Sequence, residues 1–378
     1  MWYSIEKTIK TWALHRLERR MPRREVSPEA VDWGRVRRVL IVRQHDQFGD
    51  FLLTTPAIRA LRQRFPDAYL ALVVREYLKP VAQGNPDVDE LLVFPQPVGR
   101  WTPRDSLRLV SRLRDGFNLA VVFNTVSHSL SSDLIAYSSG APLILGPALP
   151  TFDHCERNPF YTLVAPYDPA PKHQADRNLD VVRHIGADTD DLTYRFGLSH
   201  AEEQAGQALL RSLCGTNSRR TVGVHFGTKD TGKRFPIPRL AELCDRLVER
   251  GETEIIVIRA PDEDALLAAL MSQMRHYVAV APLLRLREVA GLLASLGLLV
   301  CNDTGVLHLA AAVGTPTVSF HAKSDPAFWK PIGDRHVAVY AANGDITTVT
   351  VDQAMGAVDR ALGTVRPHTP RPPSLPSP

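Results

Sequence analysis

"LGLLVCNDTGVLHLAAAVGTPTVSF", residues 296–320, passes from strand to helix to strand. An apolar run, Leu296–Cys301, stops at Asn302-Asp303-Thr304-Gly305. The spacing of Val306–Val313 predicts a helix. Gly314-Thr315-Pro316 breaks it, and Thr317–Phe320 reads as the next strand. Two strands joined by a crossover helix form a βαβ unit, whose strands lie parallel.

The same rhythm runs backward through the chain. Val39–Arg43, Ala68–Val74, Leu91–Phe94, Leu119–Phe123 and Leu143–Leu145 read as strands. Helical spacing lies between them at Asp50–Phe65 (with Pro56 inside), Arg104–Asp115 and Ser129–Ser139. His173–Ile185 reads as a helix closing this half. Gly186–Arg220 is polar, contains a helical stretch at Ala201–Leu213, and reads as a connection. The rhythm then restarts. Thr221–Phe226, Glu254–Ile258, Tyr277–Val280 and Gly297–Cys301 are strands; Ile237–Arg250, Glu263–Met274 and Arg287–Ser295 are helices. A last helix is expected at Asp352–Leu362, before a Pro-rich tail expected to be disordered. The expectation is an α/β protein with two doubly wound halves. The boundaries read 35–200 for the first domain, 201–220 for the connection, 221–345 for the second domain, 346–363 for the last helix and 364–378 for the tail.

The chain of 378 residues suits about two domains of roughly 150 residues. No apolar stretch approaches the ~20 residues that span a bilayer. Four cysteines without pairwise spacing predict neither a zinc site nor a disulfide framework. With no signal-peptide core at the N-terminus, they point to a reducing cytoplasm. The formal net charge of +4 is too small to argue for nucleic acid. Residues 1–34 differ from the rest. Trp2, Ile5, Ile9 and Trp12 share one helical face, and Lys7, Lys10, Arg16, Arg19, Arg20, Arg23 and Arg24 add positive charge. Two readings fit this basic amphipathic extension: an interfacial membrane helix, or a helix docked on the protein's own surface.

In open parallel sheets ligands bind beyond the carboxyl ends of the strands, so candidate residues are sought there. At Asp303-Thr304-Gly305 a helix N-terminus offers free N–H groups and a positive dipole end, which suits a phosphate. Thr304 adds a hydroxyl, Gly305 permits close approach, and His308 lies one turn further on the same face. The competing reading makes Asp303 or Thr304 a plain N-cap and His308 a satisfied core histidine. "GTKDTGKRFP", Gly227–Pro236, is a basic, Gly-containing loop that suits a pyrophosphate or is merely solvated; it lacks the P-loop pattern. Asp262 and Glu263 either complement a helix dipole or grip ribose hydroxyls. Asp50, opening a helix, is an N-cap or a general base; His45 and Asp46 are alternative bases in the same loop.

Together, Gly49-Asp50, Thr55-Pro56-Ala57, "LRQRFPDA", "GKRFP", "NDTGVLHLAAAVGTPTV" and "SDPAFWKPIG" resemble glycosyltransferase family 9, the ADP-heptose:lipopolysaccharide heptosyltransferases. "HQADRNLDVVRHIGA", His173–Ala187, also resembles the family. The likeness runs from about Arg38 to Pro331, and the NDTG…HLAAA…GTPTV block is its most specific part. It implies the GT-B fold, two Rossmann-like domains facing across a cleft, with the acceptor on the first and the nucleotide-sugar on the second. It implies an inverting, metal-independent transfer of a heptose or related sugar from an ADP-sugar donor, with no cofactor, to a lipopolysaccharide core or other lipid-linked saccharide. By position, Asp50 resembles the catalytic base. Lys233, Asp303, Thr304, Gly305 and His308, with Gly227 and Thr228, resemble the donor-binding residues, and Glu263 the ribose-binding carboxylate. Such an enzyme would work at the cytoplasmic face of the inner membrane, with the N-terminal helix as its peripheral anchor.

Three stretches depart from the family's usual pattern. "SFHAKSDP" puts His321 and Lys323 where a glycine is common. Arg259-Ala260-Pro261 replaces a Gly-Gly or Gly-Pro pair. "RQHDQF" before Gly49 is unusually polar. Other readings of the same residues are a UDP-sugar-dependent transferase, an epimerase, or an inactive, membrane-associated nucleotide-sugar-binding protein.

Overall fold

Strand β1, Arg38–Val42, is buried on both faces from Val39 onward. A strand without polar alternation suits the interior of a parallel sheet covered by helices on both sides. The computed structural model describes residues 15, 16, 18–21, 25–45, 47–94, 103–151, 155–214, 220–251 and 253–363. The chain divides into two units, ending at Ser199 and beginning at His200.

In the first unit β1 is joined by β2 (Tyr69–Arg75), β3 (Glu90–Phe94), β4 (Leu119–Val122), β5 (Leu143–Pro147) and β6 (Leu163–Ala165). All neighbours are parallel, in the order β3-β2-β1-β4-β5-β6. The second unit contains β7 (Arg220–His225), β8 (Thr253–Ile258), β9 (Ala279–Val280), β10 (Leu298–Asn302), β11 (Thr317–His321) and β12 (His336–Tyr340). Its order is β12-β11-β10-β7-β8-β9, again all parallel. Counted from each unit's own first strand, both orders are 3-2-1-4-5-6. The order reverses beside β1 and β4 in one sheet and beside β7 and β10 in the other. Those switch points open a crevice past the strand ends, where ligands bind in such sheets.

The helix expected over Asp50–Phe65 is two helices, Phe48–Leu52 and Thr55–Arg64. Pro56 has no N–H to give the Leu52 carbonyl. The Thr55 hydroxyl donates to that carbonyl instead, at 2.7 Å.

The expected connection, 201–220, is largely a helix, His200–Cys214, and it belongs to the second unit. Gly206 lies against Gly291 of helix Leu286–Ala294; a Cβ on Gly206 would sit 2.0 Å from the Gly291 carbonyl oxygen. Two glycines are therefore what lets these backbones meet. The final helix, Val351–Gly363, buries Ala354, Ala357, Val358 and Ala361 in the second core.

Tyr277–Val280 pairs only at Ala279–Val280. The edge strands β6 and β12 have no counterpart in the sequence reading: β6 is three residues long and β12 mostly half-buried, so neither has a long apolar run.

Trp2, Ile5, Ile9, Trp12 and the Pro-rich tail lie outside the described residues. The described end of the extension docks on its own unit. The Glu18 carboxylate, 9% exposed, accepts the Glu156 and Arg157 N–H groups at 3.0 and 2.9 Å. Arg157 Nη2 donates to the Glu18 and Met21 carbonyls. Among the described residues no helix is long and apolar enough to cross a membrane.

Candidate active site

Asn302, the last residue of β10, is buried and joins two loops. Its Nδ2 donates to the Phe226 carbonyl at 2.8 Å, and its Oδ1 accepts the Phe235 N–H at 2.9 Å. Phe235 stacks on Phe320 with centroids 4.0 Å apart. The loop after β7 is thus fixed beside the end of β10, and Lys233 reaches Asp303 with Nζ 2.9 Å from Oδ2.

Ser324 completes the cluster. Lys233 Nζ lies 3.4 Å from its hydroxyl, which donates to Asp303 Oδ2. Burial alone would raise the Asp303 pKa. His321, the Ser324 hydroxyl and Lys233 outweigh burial and hold it below the ordinary carboxylate range. His321, wholly buried at the end of β11, has its own pKa lowered by burial; Asp303 opposes that shift, while Lys233 and Lys330 reinforce it.

Helix Gly305–Ala312 begins at this cluster. Thr304 holds its N-cap position in extended geometry, but its side chain makes no capping bond. The Thr304 Oγ1 is buried without a partner. Asp303 pairs with Lys233 rather than capping, so the plain N-cap reading does not describe this turn. His308 is buried within the helix, 5% exposed, and senses His336 electrostatically.

The other end of the β7 loop meets Glu263. The Glu263 Oε2 accepts the Ala260 N–H at 2.8 Å and lies 3.8 Å from His225 Nε2. A Cβ on Gly227 would fall 1.4 Å from Glu263 Oε1, so the carboxylate occupies the space that a side chain at 227 would need. Burial lowers the His225 pKa, with Glu263 opposing, and the His225 Nδ1 has no partner. Thr228 shapes the loop: its carbonyl accepts from Arg234 Nη2 at 3.2 Å. Lys323 pairs with Asp230 at 2.8 Å. The structure therefore brings Lys233 together with Asp303, and Gly227 together with Glu263, through one shared loop. Ser324 and His321 were not singled out as site residues by the sequence; the recurrence of His321 just past a buried strand was the available signal.

In the first unit Asp50 sits at the third position of helix Phe48–Leu52, where its Oδ2 accepts the Gln47 N–H at 3.0 Å. Gln47, not Asp50, holds the N-cap position. Arg43, 2% exposed, fixes the backbone below it: Nη2 donates to the Asp50 carbonyl at 3.3 Å and Nη1 to the Phe123 carbonyl. The Tyr77 hydroxyl accepts the Phe48 N–H at 3.0 Å. Burial of the phenol raises its pKa, the Phe48 bond opposes, and the Asp50 charge adds to the rise. His45 is half-buried in the same loop; Asp46 lies outside the described residues.

Past the same strand ends, Asp133 is wholly buried and accepts three hydrogen bonds, from Asn124 Nδ2 (3.1 Å), Tyr161 Oη (2.7 Å) and Asn158 Nδ2 (2.8 Å). His128 Nε2 lies 2.8 Å from its Oδ2. This network stiffens the loop after β4.

Elsewhere, His15, Glu18 and Cys155 bring one potential metal-ligand atom each within 4.8 Å of one another. Burial and Glu18 push the Cys155 thiol up to about 11, so it is protonated at neutral pH. A concavity of about 550 Å³ lies on helices Ile237–Glu249 and Val351–Gly363, away from the strand ends. Its Arg246–Asp352 and Arg250–Asp359 charges pair with each other.

Two doubly wound parallel units of one strand order, with candidate ligand-binding residues past the strand ends, are the architecture of the GT-B fold. The model of "Glycosyltransferase family 9 (heptosyltransferase)" matches residues 108–358, and the chain belongs to that family. It is 25% identical over 302 residues to lipopolysaccharide heptosyltransferase 3 of Escherichia coli K12, covering 78% of this chain and 86% of the relative. Its fold is similar to that of a family 9 glycosyltransferase from Veillonella parvula, with a TM-score of 0.77 and 20% identity over 89% of this chain and 99% of the other. It is also similar to E. coli heptosyltransferase WaaC with ADP, with a TM-score of 0.66 and 20% identity over 86% and 99% of the two chains.

Proposed function

We propose that this glycosyltransferase moves a heptose or closely related sugar from an ADP-sugar to a lipopolysaccharide core or other lipid-linked saccharide, inverting the anomeric carbon without a metal ion. The observation that carries the reading is the Lys233–Asp303–Ser324 cluster at the start of helix Gly305–Ala312, beside the unpartnered Thr304 hydroxyl. The names of the relatives support the sugar, and the ADP in one similar structure supports the nucleotide.

Asp50 takes the proton of an acceptor hydroxyl. The oxygen's electron pair forms the new bond to the anomeric carbon. The bond from that carbon to the diphosphate breaks on the opposite face, and ADP departs with the electron pair. Lys233, the helix N-terminus and the Thr304 hydroxyl stabilise the charge that grows on the diphosphate, a task metal ions perform elsewhere. Asp303 holds Lys233 in place before the diphosphate arrives. Glu263, over Gly227, takes the ribose hydroxyls.

Titration calorimetry with ADP, UDP and GDP, without and then with magnesium, tests the donor. ADP is expected to bind most tightly and to the same extent in both conditions. A preference for UDP or GDP moves the donor, and a magnesium requirement overturns the metal-free reading.

The basic N-terminal extension acts at the inner membrane's cytoplasmic face in this reading. In this reading the Trp2, Ile5, Ile9 and Trp12 stripe meets lipid. Deleting residues 1–14 is expected to weaken sedimentation with anionic vesicles while leaving nucleotide affinity unchanged. Equal sedimentation of both proteins excludes the anchor.

A further inference from the structure

The strand order β2-β1-β4 brings together three side-chain groups that the proposed reaction does not use. Arg75 ends β2, Gln44 follows β1, and Ser129, Ser131 and Ser132 lie in the segment after β4. Gln44 is wholly buried and bridges the other two groups. Its Oε1 accepts from Arg75 Nε at 2.9 Å. Its Nε2 lies 3.1, 2.7 and 3.1 Å from the hydroxyls of Ser129, Ser131 and Ser132. One amide nitrogen with two hydrogens thus faces three hydroxyl oxygens, each of which also carries a proton to donate.

Arg75 is half-buried, and both of its partners are uncharged side-chain atoms or a titratable ring. Nε is on the Gln44 amide oxygen, and Nη2 lies 3.3 Å from His45 Nδ1. No carboxylate among the described residues forms an ion pair with it. Three other arginines of this unit meet carboxylates: Arg59 pairs with Asp191, Arg62 with Asp89, and Arg195 with Asp87. A partly desolvated guanidinium without a counter-charge is costly unless a ligand supplies one, and its planar fork matches carboxylate and phosphate oxygens. The bond to Gln44 fixes its plane. The Tyr77 hydroxyl senses both the Asp50 and the Arg75 charges, which places the guanidinium in the neighbourhood of the proposed base.

We infer that Arg75, oriented by the Gln44 amide that Ser131 also meets, forms a subsite for an oxyanion, carboxylate or phosphate, carried by the acceptor saccharide. The inference rests on the reading that the first unit takes the acceptor. It makes Arg75 a specificity-determining residue: an acceptor bearing an acidic group near the reacting hydroxyl is selected over its neutral counterpart.

The test uses the full chain and three probes, glucuronate, glucose 6-phosphate and glucose, titrated by NMR against wild type, Arg75→Gln and Arg75→Lys, with ADP titrated in parallel. Wild type is expected to bind at least one acidic sugar and to bind glucose more weakly. Arg75→Gln should weaken that binding about 10-fold or more, the range of a lost charged hydrogen bond, with ADP affinity and melting temperature unchanged. Arg75→Lys, which keeps the charge and loses the fork, should fall between. Glucuronate bound over glucose 6-phosphate assigns a carboxylate; the reverse assigns a phosphate. Equal binding of all three sugars, no binding of either acidic sugar, or undiminished binding by Arg75→Gln overturns the subsite. Loss of ADP binding with acidic-sugar binding intact would instead strike the transferase reading and leave the subsite standing.

Discussion

Asp50→Asn is expected to abolish most transfer while leaving nucleotide binding intact. The carboxylate is the proposed proton acceptor, and removing a general base typically costs ~10²–10⁴-fold in rate. Asparagine is the informative replacement because Asp50 has a second duty. Its Oδ2 accepts the Gln47 N–H and so stabilises helix Phe48–Leu52. An amide oxygen can still accept that bond, whereas alanine would remove it, at about 1 kcal/mol. The Arg43 and Thr54 bonds to the Asp50 carbonyl use the backbone and survive either change. The expected signature is therefore a collapsed kcat with an unchanged melting temperature and unchanged ADP calorimetry. Wild-type turnover by Asp50→Asn would remove Asp50 as the base and pass the role to His45, half-buried in the same loop.

The candidate residues of the two units differed in how far the sequence exposed them. In the second unit the chemistry is concentrated in continuous blocks. Asp303, Thr304 and Gly305 sit in one turn, and Lys233 sits in one short loop, so strand ends alone located them. What the sequence could not give was the tie between those blocks. Asn302 makes it through two hydrogen bonds to residues 76 and 67 positions away. Glu263 over Gly227 is another tertiary fact: the glycine was visible, but not the carboxylate that fills its missing side chain.

In the first unit the reading was thinner because the polar groups are dispersed. Arg75 ends β2, Gln44 follows β1 and Ser131 lies in the helix after β4, three strands that are neighbours only in the sheet, and none of the three residues belongs to a motif. The fold itself was legible wherever central strands carry unbroken apolar runs. It failed at β6 and β12, which are edge strands, and at Pro56, where a helical pattern hides a break. Helix His200–Cys214 was seen but placed in the connection, because its docking depends on the pairing of Gly206 with a glycine 85 residues later.

Lys233→Ala is expected to strike both donor binding and the chemical step. The ammonium is the proposed partner of the diphosphate, and its contribution grows as the bond to the sugar breaks. Loss of one such stabilising group typically lowers kcat by ~10²–10³-fold. ADP affinity should fall too, because ADP carries the charge that the departing group acquires. Lys233→Arg keeps the charge and should recover part of the affinity. The substitution also reaches Asp303, whose depressed pKa depends in part on this lysine. A carboxylate with a lowered folded pKa contributes stability that is present above its unfolded pKa and is lost as pH falls through the folded value. The variant should therefore be less stable than wild type at neutral pH, and the gap should close as pH drops below about 4, where the unfolded carboxyl is protonated. His321 and Ser324 still face Asp303, so the loss is partial rather than that of an isolated buried charge. Measuring ADP affinity, kcat and a pH series of melting temperatures separates the two roles. A variant that loses stability but keeps full ADP affinity and turnover would make Lys233 a structural partner of Asp303 alone, and the diphosphate would then have to be held by the helix N-terminus and Thr304 without it.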